Sequence, residues 1–150
     1  MPRLVAFFVF TLCVSFPALG VLHPAKIFSD HMVLQRDTEV SVWGQTDAGA
    51  TVTVAFAGQS VKAKADEQGR WKLKLDAMKA STEGRSLDIS SGDQHMLIKD
   101  VLVGDVWFAG GQSDMDYKVK GMARRLPEGK TLADRANYPA IRHRKVNERY

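Results

Sequence analysis

Cysteine is almost absent from this sequence, which contains one, Cys13, among 150 residues. That cysteine lies inside an apolar leader, so a chain cleaved after Gly20 has no thiol. Disulfide bonds, cysteine-ligated zinc sites and cysteine nucleophiles are therefore excluded for the cleaved chain. The sequence also lacks a glycine-rich phosphate loop and a histidine pair at metal-ligand spacing, so we expect no cofactor and no metal.

The sequence has no concentrated excess of charge of either sign. Its 21 lysines and arginines and 17 acidic residues give a formal net charge of +4. The lysines are scattered through alternating segments, which is typical of solvated strand faces. A nucleic-acid-binding surface would instead gather basic residues around aromatic ones. We therefore predict that nucleic acid is not a partner.

The leader is apolar but short. Residues 4–14 form its apolar run after the single charge of Arg3, and Ala18-Leu19-Gly20 follows. Small residues three before and one before the break fit signal-peptidase cleavage after Gly20. The run is too short to span a bilayer comfortably. We predict that residues 1–20 are a signal peptide and that the chain is exported, to the periplasm or the medium, without stable membrane insertion after cleavage. An uncleaved anchor is the alternative.

Hydrophobic residues alternate with polar ones from Glu39 onward. Turn residues separate the alternating runs, and two further runs flank the turn at residues 91–93. Short strands at this spacing predict a mainly β chain with an antiparallel, jelly-roll-like β-sandwich over residues 21–102. The alternating hydrophobic positions are Val40 and Val42; Val52, Val54 and Phe56; Trp71, Leu73 and Leu75; Leu87 and Ile89; and Met96 and Ile98.

The three tryptophans have two interpretations. Trp43, Trp71 and Trp107 carry flat apolar rings on which a sugar can stack. At alternating strand positions, however, a large aromatic side chain more often fills the hydrophobic core. The sequence favours the core for all three.

A serine follows a short apolar run and two glycines. Residues 106–109 are rich in strand formers, and Gly110-Gly111 permits a sharp turn before Gln112 and Ser113. Such a turn aims a hydroxyl outward at the carboxyl end of a strand, where nearby backbone N–H groups can stabilise an oxyanion. Ser113 is therefore a candidate nucleophile. The alternative is that it caps a helix or closes a turn.

The wider segment resembles a known family. Val103 to Trp107, continuing into Gly111-Gln112-Ser113-Asp114-Met115, is similar to the nucleophile block of the sialate O-acetylesterases, a branch of the SGNH hydrolases, which reads Gly-Gln-Ser-Asn-Met. Residues 27–36 and 69–71 resemble that family as well. The resemblance implies a serine esterase that removes O-acetyl groups from sialic acid or related sugars through an acyl-serine intermediate. It implies that Ser113 is the nucleophile, that its N–H is an oxyanion donor and that Gln112 belongs to the block.

Asp114 departs from the family pattern, which has asparagine there. An ionised carboxylate opposes a neighbouring oxyanion, by roughly 4 kcal/mol at about 4 Å and an effective dielectric near 20. A carboxylate also stabilises the first turn of a helix. The sequence leaves both interpretations open.

Residues 103–150 resemble only the opening of an SGNH domain. We predict an incomplete α/β esterase domain with an opening strand, the nucleophile turn, one or two helical turns near residues 132–136 and a second strand at residues 141–146. The family places its catalytic histidine and aspartate in a later block that has no counterpart here, and none of the four histidines matches it. The truncated chain is therefore predicted to be inactive alone and to self-associate through unpaired strands. The alternatives are a secreted, non-catalytic β-sandwich binding module and an inert gene fragment.

Overall fold

The computed structural model describes residues 20–111, 121, 125–126 and 128–145, apart from the side chain of residue 132. The described chain is mainly β, as predicted. Its strands are β1 His23–Pro24, β2 Val33–Gln35, β3 Val40–Gln45, β4 Thr51–Phe56, β5 Gln59–Lys64, β6 Arg70–Leu75, β7 Ser81–Ser91 and β8 Gln94–Gly104. The helix α1 spans Gly129–Arg135, which confirms the helical turns expected there.

The strands form two sheets. The three-stranded sheet has the order β1-β3-β6, and the five-stranded sheet has the order β2-β8-β7-β4-β5. Every neighbouring pair is antiparallel except β2 and β8, which run parallel from Val33 opposite Leu102 to Gln35 opposite Gly104. The sandwich is antiparallel as predicted at every other described pair, and the parallel pair of β2 and β8 was not foreseen. Two parallel neighbours need a long connection between them. Here the five strands from β3 to β7 lie between β2 and β8 along the chain.

The two sheets enclose one hydrophobic core. Alternate residues of each strand point into it because successive side chains of a strand lie on opposite faces. In β6, for example, Trp71, Leu73 and Leu75 are buried while the residues between them are exposed. A single cluster joins the two layers, with Val40, Val42, Trp71, Leu73 and Leu75 from one sheet and Val52, Val54, Phe56, Leu87, Ile89, Ile98 and Val101 from the other.

Turn chemistry fixes the hairpin between β4 and β5. Ala57 and Gly58 connect the strands, and their φ angles are 49° and 82°. A two-residue turn with both central residues at positive φ matches the twist of the flanking strands. Glycine takes this conformation without steric cost, whereas Ala57 adopts one that is uncommon for a residue with a Cβ.

The structure differs from the sequence prediction after β8. That strand runs through Gly104. Strands were predicted at residues 106–109 and 141–146, but residues 106–109 and the described part of the second stretch, residues 141–145, have no regular secondary structure. A strand needs a neighbour to complete its backbone hydrogen bonds, and no described strand pairs with either segment. Trp107 and Phe108 are accordingly exposed, at 87% and 96%.

Candidate active-site region after β8

The predicted site residues Gln112, Ser113 and Asp114 lie outside the described residues. The structure does describe the chain that leads to them, as far as Gly111, and the chain that returns from them, at residues 128–145. These two stretches define how the sandwich holds the candidate nucleophile segment.

Parallel pairing with β2 fixes the point where the chain leaves β8. Gly104 lies opposite Gln35, and the Arg36 N–H donates to the Gly104 carbonyl at 2.9 Å. Two residues beyond the strand, the Val106 N–H donates to Gln35 Oε1 at 2.8 Å. The side chain of Gln35 thus extends the ladder past the end of β8.

Arg36 forms charged hydrogen bonds at the same place, where the chain leaves β8. Its Nε donates to Asp105 Oδ1 at 2.9 Å and its Nη1 to Asp37 Oδ2 at 2.7 Å, while Lys79 Nζ donates to Asp37 Oδ1 at 2.8 Å. The hydrogen bond from Lys79, supported by the charges of Lys79 and Arg36, lowers the pKa of Asp37 below its ordinary value. The Asp105 carboxylate in turn raises the pKa of Arg36. These charged groups therefore keep Asp105 against the end of β2.

A second anchor holds the returning chain. Arg142 Nη2 donates to both carboxylate oxygens of Asp100, at 3.0 and 2.9 Å, and its Nη1 donates to the Asp100 carbonyl. Arg144 Nη1 donates to Ser29 Oγ at 2.5 Å, and its Nη2 donates to the Lys26 carbonyl. Residues 141–145 thus lie against the sandwich. The sandwich therefore contacts the described chain both at residues 105–106 and at residues 142–144.

Asp100 is placed for this contact by a β-bulge. Arg85 pairs with Val101 and Leu87 with Ile98, so β8 has one extra residue in this interval. Asp100 takes a φ of 55°, in the left-handed region. Hydrogen bonds from His31 and then Arg142 lower the pKa of the Asp100 carboxyl. The bulge thus directs a carboxylate that is ionised at neutral pH toward Arg142.

Two histidines form pairs with carboxylates. His31 Nδ1 lies 2.6 Å from Asp100 Oδ2, and His95 Nε2 lies 2.8 Å from Asp88 Oδ2. A serine hydrolase orients its catalytic histidine with such a contact. Both pairs here lie on the sandwich, and Asp100 is already engaged by Arg142. Neither pair was predicted from the sequence, in which none of the four histidines matches a catalytic position of the family.

Gln35, Arg36, Asp100 and Arg142 were also missed as contributors to the site. Gln35 and Arg36 lie in a segment already similar to the esterase family, and that similarity was the signal that could have drawn attention to them. No local pattern joins Asp100 to Arg142. Within the described ranges, no group of three or more His, Cys, Asp or Glu residues is arranged to hold a metal ion. The helical part of those ranges includes nothing long and apolar enough to cross a membrane.

Comparison with known proteins identifies relatives. The chain is 32% identical over 128 residues to the sialate O-acetylesterase of Rattus norvegicus and 33% identical over 131 residues to that of Homo sapiens. These matches cover 79% of the chain but only 23% and 24% of the two relatives. The crystal structure of a carbohydrate acetylesterase from Xanthomonas citri superposes with a TM-score of 0.66 and 34% identity, over 83% of this chain and 26% of that one. No family model matches the chain.

The described region thus resembles part of a carbohydrate acetylesterase in both fold and sequence. The chain is a homologue of the sialate O-acetylesterases over the segment that it shares with them, which confirms the resemblance found in its sequence. It spans about a quarter of the length of the curated relatives it matches.

Proposed function

We propose that this protein serves as a carbohydrate O-acetylesterase that hydrolyses O-acetyl esters of sialic acid or related sugars. The observation that supports this most is the homology over 79% of the chain to sialate O-acetylesterases. It is supported further by the structural likeness to a carbohydrate acetylesterase and by the residues that match the family block, Gly111, Gln112, Ser113 and Met115.

In the proposed reaction, the Ser113 hydroxyl attacks the acetyl carbonyl of the sugar ester. The Ser113 proton passes to a general base and then to the departing sugar oxygen, and the acetyl group remains on Ser113 as an ester. The Ser113 N–H donates to the oxyanion that forms on the way. Water, activated by the same base, then cleaves the acyl-serine to acetate and free enzyme. Gln112 is proposed only as a member of the block.

The described contacts support this role because they lie on both sides of the segment that contains Ser113 in the sequence. Arg36 and Gln35 bind the chain at residues 105–106, and Asp100 binds it again at Arg142. A nucleophile held near its reactive position pays less entropy at each turnover. The sandwich would therefore act as the support of the catalytic segment.

We also propose that residues 1–150 taken alone do not catalyse this reaction. Their four histidines match no catalytic position of the family, and loss of triad members leaves only a small residual rate. Export after cleavage at Gly20, and self-association through the segment with the exposed Trp107 and Phe108, are further parts of the proposal.

Hydrolysis of p-nitrophenyl acetate tests the assignment. Purified residues 21–150 should release nitrophenol no faster than their Ser113→Ala variant. The same residues should be joined to the remaining three quarters of the Xanthomonas citri acetylesterase. This fusion should show turnover that Ser113→Ala lowers by at least about 10³-fold. Ser60→Ala, at an exposed serine of β5, is the matched control and should leave the rate unchanged.

Two results would count against the proposal. Equal rates for the fusion and its Ser113→Ala variant would remove Ser113 as nucleophile. Clear Ser113-dependent turnover by residues 21–150 alone would show that this stretch contains a base, with His31 and His143 the first to replace.

A further inference from the structure

The three-stranded sheet has an open groove on its outer side. Its volume is about 920 Å³, and its lining includes Lys26, Trp43, Gln45, Arg70 and Lys72. These residues come from β3, β6 and the chain after β1, whereas β8, which leads toward Ser113, belongs to the five-stranded sheet. The groove therefore belongs to a part of the sandwich to which the proposed esterase reaction assigns no role.

Strand register brings an aromatic ring, an amide and two cations together on this face. Trp43 lies opposite Lys72 and Gln45 opposite Arg70 in the antiparallel pair of β3 and β6. Opposed residues of such a pair have Cβ atoms about 5 Å apart and share a face. All four side chains are exposed because their neighbours along each strand point into the core.

Trp43 is exposed but held in place. The residue is 41% accessible, and its ring meets that of the buried Phe28 edge-to-face, with centroids 4.9 Å apart and planes at 78°. The Ala25 N–H donates to the Trp43 carbonyl at 2.9 Å. A ring fixed in this way offers a flat apolar surface to a ligand without losing rotational freedom on binding.

The close approach of β1 shapes one wall of the groove. Pro24 pairs with Gly44, and a Cβ added to Gly44 would lie 2.2 Å from the His23 carbonyl oxygen and 2.8 Å from the Trp71 ring. Only glycine allows this approach. Trp71 also belongs to the lining, but its indole N–H is buried, so a ligand in the groove does not reach it.

Positive charge exceeds negative charge around the groove. Lys26, Arg70 and Lys72 line it together with a single carboxylate, Asp66. That carboxylate is already engaged, since Arg70 Nε donates to its Oδ2 at 2.9 Å. Neither Lys26 nor Lys72 forms an ion pair with any residue that the structure describes. The lining of the groove thus includes two lysines that have no ion-pair partner in the described chain.

We propose that this groove binds a carboxylate-bearing saccharide. The apolar face of a pyranose ring stacks on Trp43, as amphipathic ligands do on indole. The Gln45 amide can donate to and accept from ring hydroxyls. Lys26 and Lys72 pair with the carboxylate, and charge-assisted hydrogen bonds of this kind are stronger than neutral ones. The binding requires no ester and no nucleophile, so it does not depend on the proposed esterase activity.

Calorimetric titration of the purified chain with trigalacturonate tests the proposal. The comparison ligand is the fully methyl-esterified trisaccharide, which keeps the rings and loses the charges. Trigalacturonate should bind at least about tenfold more tightly than the ester, which corresponds to a single strong charged contact. Its affinity should fall as salt is raised, because these lysines are exposed to screening.

Three variants identify the groove as the site. Trp43→Ala should abolish measurable binding, and Lys72→Gln should weaken it by at least about fivefold. Lys62→Gln removes the same charge from the exposed face of β5, outside the groove, and should change the affinity less than twofold. Lys72→Gln keeps the Phe28 contact of Trp43, so it remains informative if Trp43→Ala unfolds.

The remaining outcomes overturn the proposal. Equal affinity for the acid and its methyl ester would show that the lysines do not recognise the carboxylate. Equal weakening by Lys72→Gln and Lys62→Gln would indicate a diffuse charge effect rather than a site. No detectable binding by the folded chain would exclude this ligand class. None of these results depends on whether Ser113 is catalytic, because neither trisaccharide contains an O-acetyl ester.

Discussion

The Asp100 carboxylate accepts hydrogen bonds from Arg142 at both of its oxygens, across 42 residues of sequence. The contact joins a bulge in β8 to the chain that follows α1. Arg142 is the less exposed partner, with 17% of its side chain accessible against 40% for Asp100. Since Asp100 also contacts His31, one carboxylate links three parts of the fold.

Replacement of Asp100 by asparagine should reduce stability at neutral pH and flatten its pH dependence in acid. The folded-state pKa of Asp100 is lowered, chiefly by the His31 hydrogen bond and then by Arg142. A lowered carboxyl pKa stabilises the fold above the unfolded value, near 4, and this stabilisation is lost as pH falls through the folded pKa. Urea unfolding measured between pH 7 and pH 2 should therefore show a shallower slope below about pH 4 for Asp100→Asn.

Asp88→Asn is the matched control for this change. Asp88 also pairs with a histidine, His95, but no arginine in the part of the chain that the structure describes bonds to it, and it lies in the hairpin of β7 and β8. Its replacement should leave the acid slope close to that of the parent chain. Identical slopes for the parent and Asp100→Asn would remove Asp100 as a source of acid sensitivity.

Gly84→Ala should disturb the same contact from the neighbouring strand. A Cβ at position 84 would lie 2.1 Å from Asp100 Oδ1, so the carboxylate must move away from Arg142. The unfolding free energy should fall by about 1–3 kcal/mol, as for other overpacked positions. A double-mutant cycle locates the cause, because the penalty should shrink in an Asp100→Ala background, where the clashing oxygen is absent. An equal penalty in both backgrounds would place the strain elsewhere.

The sandwich was predictable because its strands follow local rules. Alternation located β3, β4 and β6, and turn residues located the hairpins. The parallel pair of β2 and β8 was not predictable, since it joins residues 33–35 to residues 102–104 and neither partner has a pattern that specifies direction. The bulge at Asp100 could not be predicted from the sequence either, because a single extra residue changes the strand register without changing the composition.

The surroundings of the candidate site were less predictable than its nucleophile. A glycine-serine block can be recognised from consecutive residues in the sequence. The contact between Asp100 and Arg142 instead depends on how two distant segments pack in the fold. The tryptophans show the same limit. Trp71 is buried as expected, but Trp43 is 41% and Trp107 is 87% exposed. The exposure of Trp43 and the burial of Trp71 follow from their positions in β3 and β6, because the two residues lie at opposite phases of the alternating patterns.

Leu87→Ala should be among the most destabilising single changes in the sandwich. Leu87 is fully buried in the cluster that joins the two sheets, and loss of its side chain removes apolar burial and leaves a cavity. We expect the unfolding free energy to fall by about 2–5 kcal/mol. Leu97→Ala, on the adjacent strand but at a position that is 41% exposed, should cost less than about 1 kcal/mol. Chemical denaturation monitored by tryptophan fluorescence measures both, and similar losses for the two would contradict the assignment of the core.

Arg36→Gln should loosen the exit of β8 while leaving the sandwich folded. Arg36 holds Asp105 and Asp37 through its side chain, but its backbone bond to Gly104 persists in the variant. Exposed ion pairs contribute little to global stability, so the denaturation midpoint should barely move. The Val106 N–H, which donates to Gln35 Oε1, should exchange severalfold faster because exchange reports local opening. Lys79→Gln removes a cation from Asp37 without touching Asp105 and should leave that amide unchanged. If both variants accelerate exchange equally, the general loss of positive charge, rather than the contact between Arg36 and Asp105, controls the start of the segment that leads to Ser113.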